Sequence, residues 1–392
     1  MTNDFAYRLF SVDDHLIEPP GVFVDRVPER MREAAPHVEE AEGRQFWVWE
    51  GRRQEVFALA AAVGRPRSEW GLDPVRYADM IRGAWDPAAR AVDLMSQGIV
   101  ASVCFPSLAG FAGRRFLRFQ DRELADACIE AYNDWMLDEW CAGGPEGLYV
   151  PMIIPKIWDA EETAREIYRC AERGNRAITL PENTVPLKLP SYWDEHWDPM
   201  WRALEETSTT VCLHFGTSGR IHIPTPDVVP TLGYTLNPVN SQMSCLNLVM
   251  SPVPQKFPGL NFVMSEGGIG WVAYLLERAD HVVDRHREWV GHPENFKPSE
   301  IFARQFYVCV VDEKVGMTQV DLVGADRIMW ECDYPHPDSV YPDCQQVVHE
   351  NFEGAGIEQS KREMITYGNA ARVFNWTGVD WDQPAVTAAA AS

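Results

Sequence analysis

Eight short apolar runs, each followed by a polar residue or a proline, constrain the fold of this 392-residue chain more than any other feature. Continuous apolar runs of this length are typical of parallel strands that are buried on both faces. The runs are Phe10–Val12, Gly98–Phe105, Leu148–Ile154, Ala177–Leu180, Thr210–Leu213, Leu260–Met264, Phe306–Val311 and Arg327–Trp330. We therefore predict eight buried strands.

Segments with the apolar spacing of helices separate most of these runs. Examples are Arg122–Cys141, Asp159–Arg173, Met200–Glu206, Gln242–Val249 and Trp271–Arg287. An open doubly wound sheet would also alternate in this way. Polar residues follow so many strands, at the end where a barrel carries its active site, that we favour a deformed (β/α)8 TIM barrel. The predicted α/β domain spans residues 1–376.

Two long segments exceed what a minimal barrel needs. Residues about 19–90 are rich in Pro, Arg and Trp, and residues about 217–240 are rich in Pro, Thr and Gly. Long loops in compact domains are often functional, so we expect insertions over the C-terminal face, with surface decoration as the alternative. Residues 377–392 are rich in alanine and lack a core pattern, which predicts a disordered tail.

Side chains able to bind a metal ion recur at the predicted strand ends. Asp13 and His15 share one face of the first strand, because alternate strand residues point the same way. His214 ends the fifth strand, and Asp333 follows the eighth. Each alone has an ordinary explanation as a turn, a cap or a core histidine. Together, carboxylates and imidazoles without thiolates predict a site for Zn²⁺, Mn²⁺ or Fe²⁺.

Other residues complete the predicted site. One oxygen of Asp333 could bind the metal while the other handles a proton. We predict that Glu18 and Glu266 are further metal ligands. The predicted catalytic residues are Asp333, His336 and Glu266. His222 and Trp271 are the predicted substrate contacts.

The sequence resembles the amidohydrolase superfamily, in particular the branch that includes aminocarboxymuconate-semialdehyde decarboxylase and the resorcylate decarboxylases. The resemblance spans about residues 10–376 and rests on VDDHLIEPP, LHFG, FPGLNFVMSEGGIGWVAYLLERAD, GADRIMWECDYPHPDS and GNAARVF. It implies a metal at the C-terminal strand ends, with Asp13 and His15 as first-strand ligands, His214 as the fifth-strand ligand and Asp333 as the eighth-strand aspartate. In this branch the metal holds the substrate while a ring carbon is protonated.

The chain departs from the usual superfamily pattern in three places. Asp13 stands where most hydrolases have a histidine. The fourth strand has no lysine that could be carbamylated to bridge two metals, and Lys156, after the third strand, is the nearest candidate. Glu266 precedes Gly267 and Gly268 where the family usually has a histidine, which puts the usual proton donor in doubt.

These observations leave three functional hypotheses. The leading one is a metal-dependent hydrolase or decarboxylase of an organic acid, amide or ester, with one Zn or Mn. The alternative is a non-haem diiron monooxygenase with two Fe, Glu18 and Glu266 as ligands, and a bulky apolar substrate. A third is an inactive barrel that serves as a binding protein.

Composition indicates which binding partners and which cellular compartment to expect. A formal net charge of −23 argues against nucleic-acid and anionic-membrane partners, although Arg114, Arg115 and Arg118 could form a local site for an anionic substrate. Nine scattered cysteines without a C-x-x-C pair argue against a disulfide framework. We find no secretory signal or apolar run long enough for a membrane span and expect a cytoplasmic enzyme. The resemblance implies a homodimer.

Overall fold

The eight predicted strands are all present in the computed structural model, which describes residues 6–55, 58–71, 75–220 and 222–380. We number them as barrel strands 1 to 8 in chain order. They are Leu9–Leu16, Ile99–Pro106, Tyr149–Val150 with Met152–Ile153, Ala177–Pro181, Thr210–His214, Phe262–Ser265, Phe306–Val310 and Ile328–Trp330. All neighbouring pairs are parallel. The predicted strand order and fold class are confirmed.

The strands form a three-stranded and a six-stranded sheet that share barrel strand 3. Pro151 interrupts this strand, because it has no backbone N–H for a sheet hydrogen bond. Residues 149–150 pair with barrel strand 2, and residues 152–153 pair with barrel strand 4. The other edge of the three-stranded sheet is barrel strand 1, and the other edge of the six-stranded sheet is barrel strand 8. Between these edges, Asp333 N donates to Asp13 O at 2.8 Å and His15 N donates to Tyr334 O at 2.6 Å. These bonds join barrel strands 1 and 8.

Helices follow most barrel strands, as the spacing predicts. The longer ones are Pro87–Ser96, Arg122–Trp135, Ala160–Ala171, Asp198–Glu206, Asn237–Met250, Val272–Val290, Pro298–Gln305 and Cys344–Ala355. Shorter ones are Pro230–Thr235, Val253–Lys256, Lys314–Met317, Val320–Val323, Gln359–Glu363 and Asn369–Val373. Asp86, Asp121 and Asp159 each cap a helix by accepting two backbone N–H groups. None of the helices within the described residues is long and apolar enough to cross a membrane.

The apolar core has two layers. Phe10 and Val12 belong to the cluster inside the barrel, with side chains from the other strands such as Val263 and Met329. The larger layer lies between the barrel and its helices. Barrel strand 1 has a β-bulge, since Ser11 pairs with Ser102 whereas Asp14 pairs with Cys104. The extra residue changes which side chains point inward beyond the bulge.

The insertion at residues 19–90 contains an antiparallel sheet that we did not predict. Its strands are His37–Ala41, Arg44–Trp49 and Arg52–Glu55. The two hairpin turns are Glu42-Gly43 and Glu50-Gly51, and all four residues have positive φ. This conformation suits two-residue hairpins and explains the glycines. The end of the insertion forms the first turn of the helix Pro87–Ser96.

The predicted boundary at residue 376 is too early by at least three residues. Val379 is buried, and its N–H donates to Val100 O at 2.9 Å. Gly378 lies so close to Val100 that a Cβ there would be 2.6 Å from the Val100 oxygen. Gly378 and Val379 therefore pack against barrel strand 2, so the folded domain continues past residue 376. The rest of the predicted tail, 381–392, lies outside the described residues.

Candidate metal centre

Of the two predicted ligands of barrel strand 1, Asp13 lies in the bulge and His15 directly beyond it. Asp13 and His15 are fully buried, and Asp13 Oδ1 is 3.3 Å from His15 Nε2. Asp14 lies between them and points elsewhere, where its carboxylate accepts from Ser102 Oγ and from Tyr334 N. The bulge therefore directs Asp13 and His15 to one site and Asp14 to a structural hydrogen-bond network.

His214 and Asp333 complete a compact group with Asp13 and His15. His15 Nε2 is 3.3 Å from Asp333 Oδ1, and His214 Nε2 is 3.5 Å from Asp13 Oδ2. The structure thus brings together four predicted ligands from the ends of barrel strands 1, 5 and 8. Their separation in the sequence gives no local explanation for this proximity.

Glu266 and His336 flank these four residues. Glu266 Oε2 lies 2.8 Å from His214 Nε2, and His336 Nδ1 lies 3.2 Å from Asp333 Oδ1. The rings of His15 and His336 stack with their centroids 3.6 Å apart. Two overlapping groups have the spacing to hold a cation, and both contain His15. They are Asp13, His15, His214 and Glu266 in one group and His15, Asp333 and His336 in the other.

Most buried side-chain polar atoms of the four central residues make no hydrogen bond with a described residue, and their contacts are with one another and with Glu266 and His336. These atoms are both carboxylate oxygens of Asp13 and Asp333, both ring nitrogens of His15 and Nε2 of His214. Buried polar atoms without partners are costly, and here several electron-pair donors point toward one another. A divalent cation is the partner that satisfies them together, so the residues present fit a bound metal.

Without a bound cation, burial strongly shifts the pKa values of these carboxyl and imidazole groups. Burial, followed by the charges of nearby carboxylates, raises the pKa of Asp13 and of Asp333 well above the usual range. Burial and the neighbouring imidazoles lower the pKa of His15, and they lower the pKa of His336 to about 3. These shifts favour the neutral form of the His15 and His336 imidazoles, which is the form that binds metals. A cation would favour ionised carboxylates beside them.

Hydrogen bonds fix the orientation of the candidate ligands. His214 Nδ1 lies 2.7 Å from Phe215 O, which leaves Nε2 facing the cluster. Glu266 and Asp333 both have positive φ, at 53° and 58°. This left-handed backbone conformation is uncommon for residues other than glycine, and it often occurs at functional sites.

Three buried charged residues near the site were missed by the sequence analysis. Glu331 accepts from Glu266 N at 3.1 and 3.2 Å. Arg90 donates to His15 O and, at 2.7 Å, to Gly83 O. Burial raises the pKa of Asp14 to about 6, despite the opposing charge of Arg90. Glu331 was recognisable, since it lies two residues before Asp333 directly after a strand.

A pocket of about 520 Å³ opens onto the cluster. His214, Glu266, Asp333 and His336 line its polar side. Its apolar lining includes Ile17, Trp47, Trp70, Leu108, Phe111, Phe215, Tyr234 and Pro337. Both insertions contribute residues to this lining, among them Trp47 and Tyr234.

The structure places the remaining predicted residues differently. Glu18 lines the pocket, but its two carboxylate oxygens accept from Leu108 N at 2.7 Å and Ala109 N at 3.1 Å, outside both cation-binding groups.

Neither predicted substrate contact is among the described residues that line the pocket. His222 is exposed, and the indole N–H of Trp271 donates to Gly267 O at 2.7 Å. Lys156, the weak bridging candidate, pairs instead with Glu130 at 2.6 Å, because it points to the helix Arg122–Trp135.

The fold and the cluster are those of a TIM barrel with a candidate metal centre at the carboxyl ends of its strands. The sequence profile described as amidohydrolase matches residues 18–376, and the chain belongs to this family. No curated protein matches the sequence.

Solved structures with similar folds include metal-dependent decarboxylases. An amidohydrolase from Mycobacterium avium subsp. paratuberculosis has a TM-score of 0.74 at 20% identity, covering 94% of this chain and 100% of its own. The 5-carboxyvanillate decarboxylase of Sphingomonas paucimobilis has a TM-score of 0.64 at 21% identity, covering 95% and 100%. A dihydroxybenzoic acid decarboxylase from Polaromonas, with bound manganese and 2-nitroresorcinol, has a TM-score of 0.61 at 17% identity, covering 94% and 97%.

Proposed function

We propose that the protein is a divalent-metal-dependent decarboxylase of an organic acid with an apolar body. The observation that carries this proposal is the set of unpartnered, buried ligand atoms of Asp13, His15, His214 and Asp333 beside an apolar pocket. Glu266 lies at the same cluster, next to His214, and is a further ligand. Hard carboxylates with imidazoles suit Mn²⁺ as well as Zn²⁺, and manganese is present in a decarboxylase of the same fold.

In the proposed reaction the cation and the side chains have different roles. A divalent cation held there would bind the substrate's polar group and stabilise negative charge as it develops. In decarboxylation the bond between the substrate carbon and its carboxylate breaks, the electron pair stays on that carbon, CO₂ leaves and a proton is delivered. Asp333 and His336 are the proposed proton carriers, since Asp333 Oδ1 and His336 Nδ1 are 3.2 Å apart and both residues line the pocket.

Metal content and CO₂ release test this proposal together. We expect close to one Mn²⁺ or Zn²⁺ per chain after reconstitution, and CO₂ release from at least one member of a panel of aromatic carboxylic acids. His214→Ala should lower metal affinity and abolish CO₂ release. The matched control is His281→Ala, which removes an exposed histidine of the helix Val272–Val290 and should leave both unchanged. Equal metal content in the two variants would contradict the assignment.

Hydrolysis is the alternative at the same site, and the same panel should include aryl esters and amides. Product analysis separates the two reactions, because hydrolysis releases an alcohol or amine without CO₂.

Oxygenation by a diiron centre is the second candidate. It is favoured by the two overlapping cation-binding groups and by the carboxylate of Glu266 at 2.8 Å from His214. Two Fe per chain with substrate-dependent oxygen consumption would support it. One ion per chain and no oxygen consumption would exclude it.

A further inference from the structure

Arg115 is the only lysine or arginine among the described residues that line the pocket. It lies in the segment after barrel strand 2, where its backbone N–H donates to Ala109 O at 3.3 Å. Gly110 leaves space for its side chain, since a Cβ at that position would be 3.3 Å from Arg115 Cγ. Arg115 therefore lines the same pocket as the candidate metal ligands His214, Glu266 and Asp333.

The Arg115 side chain has no hydrogen bond or ion pair with any residue that the structure describes. Glu18 is the carboxylate with which it interacts at longer range, and both oxygens of Glu18 already accept from Leu108 N and Ala109 N. Burial, with a contribution from Arg114, lowers the pKa of Arg115 to about 10. Arg115 is partly exposed, lines the pocket and has no hydrogen-bond acceptor among the described residues, so its N–H donors can bind a ligand there.

The pocket therefore has two regions of opposite charge preference. The carboxylates of Asp13, Asp333 and Glu266 attract a cation, whereas Arg115 offers a planar set of N–H donors to an anion. Aromatic and aliphatic side chains, among them Trp47 and Leu108, line the same pocket. A molecule that satisfies all three surfaces has an apolar middle and two acidic groups.

We infer that Arg115 binds a second carboxylate of the substrate, so that the substrate class is an apolar, most suitably aromatic, dicarboxylic acid. This inference rests on the proposed function for the fate of the first carboxylate. The binding role of Arg115 is independent of that reaction and is measurable without turnover. Arg115 is thus a specificity-determining residue, and Asp333 and His336 deliver the proton to the carbon that loses the other carboxylate.

Binding of isophthalate, terephthalate and benzoate to the full chain tests the inference. Calorimetry with Mn²⁺ present, and again in EDTA, should show that a diacid binds more tightly than benzoate. In Arg115→Gln the preferred diacid should bind about 10- to 100-fold more weakly, which is the usual range for a charge-assisted hydrogen bond. Benzoate should be unaffected. Arg115→Lys should recover part of the loss, because it restores charge without the paired donors.

The matched control is Arg118→Gln, which removes an exposed arginine of the same segment. It should bind every ligand like the wild type. The melting temperature of Arg115→Gln separates binding from structure, since it should equal or exceed that of the wild type if the cation is held for a ligand. Absence of a diacid preference, equal weakening of benzoate and diacid, or a marked loss of stability would overturn the inference. Failure of CO₂ release alone would overturn only the proposed reaction.

Discussion

Asp13 and Asp14 are adjacent in the chain, but their carboxylates have different partners. Asp13 faces the metal cluster, and Asp14 accepts from Ser102 and Tyr334 near Arg90. The first arrangement was predictable, because strand alternation groups Asp13 with His15. The environment of Asp14 depends on a bulge and on Arg90, which is distant in the sequence. Neither feature leaves a local pattern in the sequence.

Glu18 was predicted as a metal ligand because it follows the D-x-H motif closely. In the structure it instead accepts from two backbone N–H groups of the segment after barrel strand 2. A sequence pattern indicates that a carboxylate is near a site but not which donors it finds there. The contacts favour a role in holding that segment in place.

Glu18 should make the stability of the protein depend on pH. Burial raises its pKa above the usual value of 4.5. The folded state therefore holds this proton more tightly than the unfolded state, so stability falls as pH rises from about 4.5 through the raised pKa and then levels off. The slope is at most about 1.4 kcal/mol per pH unit. Urea unfolding between pH 4.5 and 8 should show this component in the wild type but not in Glu18→Gln.

The matched control for this effect is Glu29→Gln, which alters an exposed glutamate in the same region. It should follow the wild type at every pH. If Glu18→Gln also remains parallel to the wild type, the burial of Glu18 has no effect on its protonation.

At the scale of elements, the eight barrel strands were predictable because burial on both faces requires continuous apolar residues. The sheet of the first insertion was not predicted, since its strands mix charged and apolar residues and most of its positions are partly exposed. The available signal was in the turns, where Glu42-Gly43 and Glu50-Gly51 suit two-residue hairpins.

Glu182 links two elements at the barrel mouth. Its buried carboxylate accepts from Ser218 N and Ser218 Oγ at 2.6 Å and from Thr217 Oγ1. Glu182→Ala leaves these donors unpaired, which should cost about 1–3 kcal/mol and loosen the start of the second insertion. Trypsin should then cleave after Arg220 faster than in the wild type. Glu172→Ala, at an exposed position, should be cleaved at the wild-type rate.

At the scale of the whole molecule, the metal centre combines residues from the first and the last part of the chain, at one end of the barrel. Family resemblance made this predictable for Asp13, His15, His214 and Asp333. The sequence named Arg115 only as one of three arginines that could bind an anion. Which of the three lines the pocket depends on how the insertions and the segment after barrel strand 2 pack together.

Metal binding should therefore stabilise the molecule as a unit. Mn²⁺ at 100 times its dissociation constant should add about 2.7 kcal/mol to the free energy of unfolding relative to protein in EDTA. Thermal unfolding should shift upward for the wild type and for His281→Ala, and much less for His214→Ala. A shift of equal size in all three proteins would mean that the ion binds elsewhere.

The two hydrogen bonds that join barrel strand 1 to barrel strand 8 also have a consequence for biosynthesis. His15 and Asp333 are separated by 318 positions (333 − 15). At a synthesis rate of roughly 5–20 residues per second, the ribosome needs about 15–65 s to add the later residue after the earlier one. The nascent chain carries Asp13 and His15 throughout that interval without their partners from barrel strand 8. Metal loading at the complete centre is therefore an event of the nearly finished polypeptide.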